Sequence, residues 1–333
     1  MTTGKFFLLT TVLLTVICFG AFAGGTQEAA GQEAAGLPEM SIVINALKGP
    51  SGFAAAKMIA DDFQPGFNVS VEYTLAASPL EAVTKMTSGE IDAAFLPVNT
   101  AAKLYTKGVD FRLAAVSGLG SLYLLTTDKS VKDWSDLKGK TIHLTGKGAT
   151  PDYLLRYLLI ENGLDPDKDV SLNFTAAPPQ IIQLIAAGKA DTAFIPQPFA
   201  LLAEVKTDAQ IVLDPQKSLM ALRGTGRPYP FTAFVISERL INERPEAAAA
   251  IVKALGESIH WVTVNPEEAS AVIENIGIMG AAVAKLAIPL CGVEFIPAED
   301  AKADVEDFLQ MLLELDPVSV GGKLPDEGFY FKK

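Results

Sequence analysis

A nine-residue stretch occurs twice in this chain, and its recurrence narrows the possible folds more than any other feature. Gly89-Glu90-Ile91-Asp92-Ala93-Ala94-Phe95-Leu96-Pro97 returns 99 positions later as Gly188-Lys189-Ala190-Asp191-Thr192-Ala193-Phe194-Ile195-Pro196. Both copies read Gly-x-x-Asp-x-Ala-Phe-aliphatic-Pro. A short run that is apolar on both faces suits a buried strand of a parallel sheet. Its terminal proline cannot donate to a ladder, so the chain must leave the sheet there. Strand ends of this kind are where open α/β sheets bind ligands. Two copies therefore predict two such ends facing each other across one cleft.

The flanking residues repeat as well. Lys48-Gly49 precedes Lys147-Gly148 by 99 positions, Ser78-Pro79 precedes Ala177-Pro178 by 99, and the strand at 69–74 precedes that at 170–175 by 101. A series at nearly constant offset marks two like units. Strands are expected at 41–47, 69–74, 91–96 and 112–117, then at 141–145, 170–175 and 192–195. Residues 122–127 read as a connecting strand, and 231–237 as the strand that returns to the first unit. Ser51 and Thr150 are predicted N-caps, and Ser78-Pro79-Leu80-Glu81 and Asn265-Pro266-Glu267-Glu268 are capping boxes. Asp214-Pro215 and 223–230 read as loop, 245–315 as mostly helical, and the tail from 318 as irregular.

Composition sets the outer bounds. At 333 residues there is room for two cores, and 49% hydrophobic residues exclude a disordered chain. A net charge of −12 with no Lys/Arg-rich run argues against nucleic acid or an anionic membrane surface as partner. The first 23 residues combine Lys5, an apolar run from Phe6 to Ile17, and Ala21-Phe22-Ala23, the pattern of a cleaved signal peptide. Residues 24–39 read as a flexible linker. The protein is therefore expected to be exported, to a periplasm or, through Cys18, to a lipid anchor. After cleavage Cys291 stands alone, so no internal disulfide is possible.

These residues together resemble an exported solute-binding protein of an ABC importer, in the nitrate/sulfonate/thiamine-precursor group called NMT1/THI5-like. The stretches that carry the resemblance are Lys48-Gly-Pro-Ser51, Gly89 to Thr100, Ala102 to Gly108, Asp136-Leu-Lys-Gly-Lys-Thr141, Gly146-Lys-Gly-Ala-Thr-Pro151, Ile195-Pro-Gln-Pro198 and Gly321-Gly-Lys-Leu-Pro-Asp326. The resemblance implies the periplasmic-binding-protein type II fold: an α/β chain in two lobes, each an open sheet flanked by helices, joined by a two-strand hinge that closes on ligand. One lobe would comprise 41–120 and 232–333, the other 121–231. It also implies a small-molecule solute, an ABC permease with its ATPase as partners, and a monomer without cofactor. The alternatives are a same-fold biosynthetic enzyme, of the menaquinone-pathway or pyrimidine-synthase kind, and a periplasmic sensor module. The Cys-rich motif of the pyrimidine-synthesising relatives is absent.

Candidate ligand-binding residues follow from the strand ends. Lys48, Ser51, Lys147 and Thr150 sit where strands give way to helix N-termini, whose free N–H groups and positive dipole end attract anions. Asn99 and Gln197 lie just past the repeated prolines and carry donor and acceptor together. Ser117, and more weakly Arg227, lie near the expected hinge. Asp92 and Asp191 are expected to bond structurally at the strand starts. Paired lysines favour a sulfonate or carboxylate; the amides, with Phe53, Tyr105 or Tyr123 nearby, favour a planar heterocycle such as a thiamine precursor. Gly139-Lys-Thr141 is no phosphate loop, because Trp134 occupies the first glycine position. Two histidines, His143 and His260, and one mature cysteine cannot assemble a metal cluster, and no nucleophile elbow occurs.

Overall fold

The computed structural model describes residues 38–76, 78–224 and 226–332. The expected signal peptide, Cys18 and the linker up to residue 37 lie outside the described residues. The first half runs β1 (Met40–Leu47), α1 (Pro50–Ala60), β2 (Val69–Ala76), α2 (Pro79–Thr87), β3 (Ala93–Pro97), α3 (Val98–Thr106) and β4 (Phe111–Leu119). The echo runs β5 (Leu122–Thr126), β6 (Thr141–Leu144), α4 (Thr150–Glu161), β7 (Ser171–Asn173), α5 (Pro178–Ala186), β8 (Thr192–Pro196), α6 (Phe199–Lys206), β9 (Gln210–Leu213) and α7 (Pro215–Arg223). Then follow β10 (Pro230–Ser237), α8 (Glu238–Glu243), α9 (Pro245–Val264), α10 (Pro266–Asn275), α11 (Ala281–Ala287), β11 (Val293–Pro297) and α12 (Ala298–Leu315).

Two sheets result, ordered β2-β1-β3-β10-β4-β11 and β7-β6-β8-β5-β9. In the first, β1 pairs in parallel with β2 and β3; in the second, β6 pairs in parallel with β7 and β8. Each repeated strand, β3 or β8, has on its other side an antiparallel neighbour, β10 or β5. The expected two-sheet α/β architecture is therefore present. Both faces of β3 are buried: Ala93 and Phe95 pack on one core, Ala94 and Leu96 on another. That is what an all-apolar strand requires.

The chain crosses between the sheets twice, from Leu119 to Leu122 and between Arg223 and Pro230. The crossings lie side by side, with the Gly120 N–H donating to the Tyr229 carbonyl at 2.8 Å. One core continues across both sheets: Leu96 and Leu113 of the first join Leu122 and Phe194 of the second, roofed by Tyr153 of α4 and Phe308 and Leu312 of α12. The outer faces keep separate cores, one around Ile42, Phe53, Phe95 and Leu255, the other around Leu125, Ile181 and Ile195.

Several local expectations change. Residues 122–126 are not a mere connector but the antiparallel strand between β8 and β9. Asp214 is an N-cap, its carboxylate accepting from the N–H groups of Gln216 and Lys217, so the expected loop is helix α7. The segment read as helical contains β11. Ser78 caps α2 as expected, accepting from the Glu81 N–H at 3.3 Å. Asn265 forms no such cap; its amide donates instead to the Trp261 carbonyl.

His143 on β6 is 8% exposed, and its Nδ1 has no partner among the described residues. Burial lowers its pKa from the ordinary value. A depressed histidine pKa means that the neutral ring stabilises the fold fully above the unfolded value of about 6.5. That contribution is lost as pH falls through the window below. The melting temperature should therefore drop between pH 7 and 5 more steeply in the wild type than in His143→Gln. Equal slopes in a calorimetric pH series would contradict this.

Candidate functional site

Helices begin where parallel strands end, among them α1 after β1, α3 after β3, α4 after β6 and α6 after β8. In both sheets the strand order reverses beside β1 or β6, the switch point where α/β sheets open a crevice. None of α1, α3 and α4 is capped by a side chain. The N-cap of α1 is Gly49 at φ 146°, a backbone conformation open to glycine and strained for other residues. These uncapped starts turn backbone donors towards the space between the sheets.

The structure brings two of the predicted residues together. Thr150, wholly buried, donates from Oγ1 to Asn99 Oδ1 at 2.9 Å, joining a helix of the second sheet to one of the first. Asn99 Nδ2 in turn donates to the Ser319 carbonyl at 3.1 Å. Thr150 is therefore not the N-cap expected, because the helix begins with it and Ala149 holds the cap position. One turn on, burial and then the negative charge of Asp316 push the Tyr153 hydroxyl up to about 12.

The other candidates lie apart from this bridge. Ser51 is buried but does not cap α1; its Oγ accepts from the Leu47 N–H at 3.2 Å, tying the helix start back to β1. Lys48 and Lys147 are both exposed, and the Lys147 ammonium rests 5.9 Å from the Phe174 ring centroid. Gln197, 1% exposed, takes the capping role at α6, accepting from the Leu201 N–H at 3.1 Å, and its own N–H donates to the Ser121 carbonyl at 2.8 Å. Ser117 is buried beside the crossings and donates to the Thr232 carbonyl at 3.4 Å. Arg227 pairs with Asp304 of α12 at 3.5 Å. Asp92 bonds the Val43 N–H and Arg239, and Asp191, though exposed, accepts from the Thr127 hydroxyl at 3.4 Å, the structural role expected of both. Phe53 is wholly buried in the core, and Tyr105 bonds Asp326 beside a cavity of about 310 Å³ at the far end of α3.

Two residues beside the crossings carried no local signal. Ser121 and Gln216 are 1% and 5% exposed, and Ser121 Oγ and Gln216 Oε1 bond nothing among the described residues. Neither belongs to a motif, and only the pairing of β5 with β8 and β9 brings them to the same edge. At the start of α4 the anion position is already taken, since Asp152 accepts from the Gly148 N–H at 2.9 Å and from Arg156 at 2.7 Å. The strand ends thus present hydroxyls, amides and backbone N–H groups, with both candidate lysines on the surface. Among the described residues no group of three or more His, Cys, Asp or Glu could hold a metal ion.

Residues 48–277 match the profile of the NMT1-like family. The nitrate/nitrite binding protein NrtA of Nostoc is 30% identical over 137 residues, 40% of this chain and 29% of that protein. The chain's matches to curated relatives span 58% of their length or less. Among solved structures, an ABC transporter protein from Parabacteroides distasonis is 28% identical with a TM-score of 0.75, covering 89% of this chain and 100% of that one. The alkanesulfonate-binding protein SsuA of Xanthomonas axonopodis, bound to MOPS, is 16% identical with a TM-score of 0.67, covering 87% and 96%, and shows the fold alone.

Proposed function

The chain belongs to the NMT1-like family, and on that premise we propose that it is the extracytoplasmic solute receptor of an ABC importer, binding rather than transforming its ligand. The observation that carries the reading is the buried Asn99–Thr150 bond, which links the helix start after β3 of the first sheet to the helix start after β6 of the second. In this reading, residues 41–120 and 232–333 form one lobe and 121–231 the other, with the paired crossings as hinge. A solute entering between the helix starts is enclosed as the lobes approach, and it drives closure only by binding the closed form more tightly than the open one. The protein acts as an exported monomer and passes its solute to a permease and ATPase. No helix among the described residues is long and apolar enough to cross a membrane.

Removing the bridge by Thr150→Val should open the lobes and weaken solute binding about two- to tenfold, since one buried bond is worth about 0.5–1.5 kcal/mol. Native mass spectrometry should find one small molecule per purified chain and less of it in the variant, and small-angle scattering should show a more open envelope. A wild-type chain that co-purifies with nothing, gives no thermal shift across a solute panel, and scatters identically to Thr150→Val would refute the receptor reading.

A further inference from the structure

Taking the receptor reading as its basis, we infer that the hinge end of the cleft is a specificity pocket for an uncharged solute presenting a hydrogen-bond donor beside an acceptor, as a carboxamide does, read by Ser121, Gln216 and Gln197. These side chains converge through the sheet. Ser121 and Tyr123 are two positions apart beside β5 and so face the same way. The Gln216 side chain lies close enough to the Tyr123 hydroxyl to act on its pKa, and the Gln197 backbone N–H donates to the Ser121 carbonyl at 2.8 Å, which sets the two residues side by side. All three polar side chains are more than nine-tenths buried.

Their unused valences state what is missing. Gln216 Oε1 and Ser121 Oγ bond nothing among the described residues, the first an acceptor and the second able to give or take one bond, and Gln197, whose Oε1 accepts from the Leu201 N–H, has its amide N–H₂ to offer as a donor. A bare buried carbonyl or hydroxyl is costly, so native proteins leave few of them. A ligand that supplied an N–H to Gln216 and an oxygen to Gln197 would satisfy both. Nitrate or a sulfonate supplies acceptors only and would leave Gln216 bare. A nearby negative charge also opposes an oxyanion: Asp214 caps the helix that carries Gln216, and the Tyr123 pKa is raised by burial and then by Asp214. In this respect the pocket departs from the nitrate and alkanesulfonate named for the similar proteins.

The test uses probes that share one ring and differ in head group, benzamide and benzenesulfonate, with sodium nitrate as a small oxyanion. Calorimetry on the full chain should show saturable binding of benzamide and none of the two anions. Gln216→Leu and Ser121→Ala should each weaken benzamide at least tenfold. Without ligand, Gln216→Leu should change the melting temperature little, because the unpaired buried carbonyl it removes offsets the loss of the amide beside Tyr123; a purely structural Gln216 would lower the melting temperature clearly. Binding of either anion that survives Gln216→Leu overturns this inference and leaves the receptor reading standing. No binding of any probe also overturns it, and native mass spectrometry of the purified chain then shows whether a solute is carried at all, which decides the receptor reading separately.

Discussion

Phe95→Ala should cost about 3–5 kcal/mol of folding stability, the range for deleting a wholly buried phenylalanine from a core that cannot collapse. Phe95 is 0% exposed on β3, opposite Phe234 of β10, with ring centroids 4.8 Å apart and planes tilted by 46°. That pairing adds about 0.5–1.5 kcal/mol beyond area burial. The side chain also packs in the core of Ile42, Ile44 and Phe53, under the helix that follows β1. Chemical denaturation followed by circular dichroism should show the midpoint falling with little change in slope. The equivalent substitution, Phe194→Ala, should cost as much through a different core, that shared by Leu122, Tyr153 and Phe308. A loss below about 1.5 kcal/mol at both positions would show that the cores relax around the missing rings, against expectation.

Gly120→Val should destabilise the fold, because it strikes where the crossings touch. A Cβ at Gly120 would lie 2.4 Å from Tyr229 Cε1 and 2.5 Å from Cζ. The ring has little freedom to withdraw: it is 5% exposed, stacked on Phe308 at 5.1 Å and edge-on to Phe231 at 6.1 Å. Overpacking of this kind costs about 1–3 kcal/mol, and separating the crossings would also stretch the Gly120–Tyr229 backbone bond. The expected result is a lower melting temperature together with a changed solution envelope. Adding Tyr229→Leu to the variant should restore part of the loss by making room for the valine. If the double variant is no better than Gly120→Val alone, the ring is not the obstacle.

What could be seen in the residues, and what could not, follows from how local each signal is. The repeated strands were legible because an apolar run that stops at proline has few structural homes, and the same run at the same offset implies the same home. The strand at 122–126 resisted because an apolar run cannot by itself say whether it bridges two bodies or sits inside one; its pairing with residues 192–196 and 210–213 settles that. Ser51 and Thr150 looked like caps because a hydroxyl near a proline is the usual cap signature. Yet α1 already begins at Pro50, before Ser51, and α4 at Thr150 itself, so the Ser51 hydroxyl turned back to Leu47 of β1 and that of Thr150 to Asn99 in the other sheet. β11, five residues at the edge of the first sheet, is too short to carry a clear period. Ser121 and Gln216 acquire meaning only from strands that meet across the second sheet, and no window of sequence contains both.

The two sheets also differ in how soon each can be finished as the chain is made. The second uses one uninterrupted stretch, residues 122–213, and needs nothing that comes later to complete its strand order. The first takes β10 and β11 from beyond residue 229, so β3 has no neighbour on its outer side until most of the chain has been synthesised. An unpaired apolar strand edge invites association with other chains. The half that begins first is thus completed last, and during that interval the ladder groups of β3 are the part of the chain most in need of shielding.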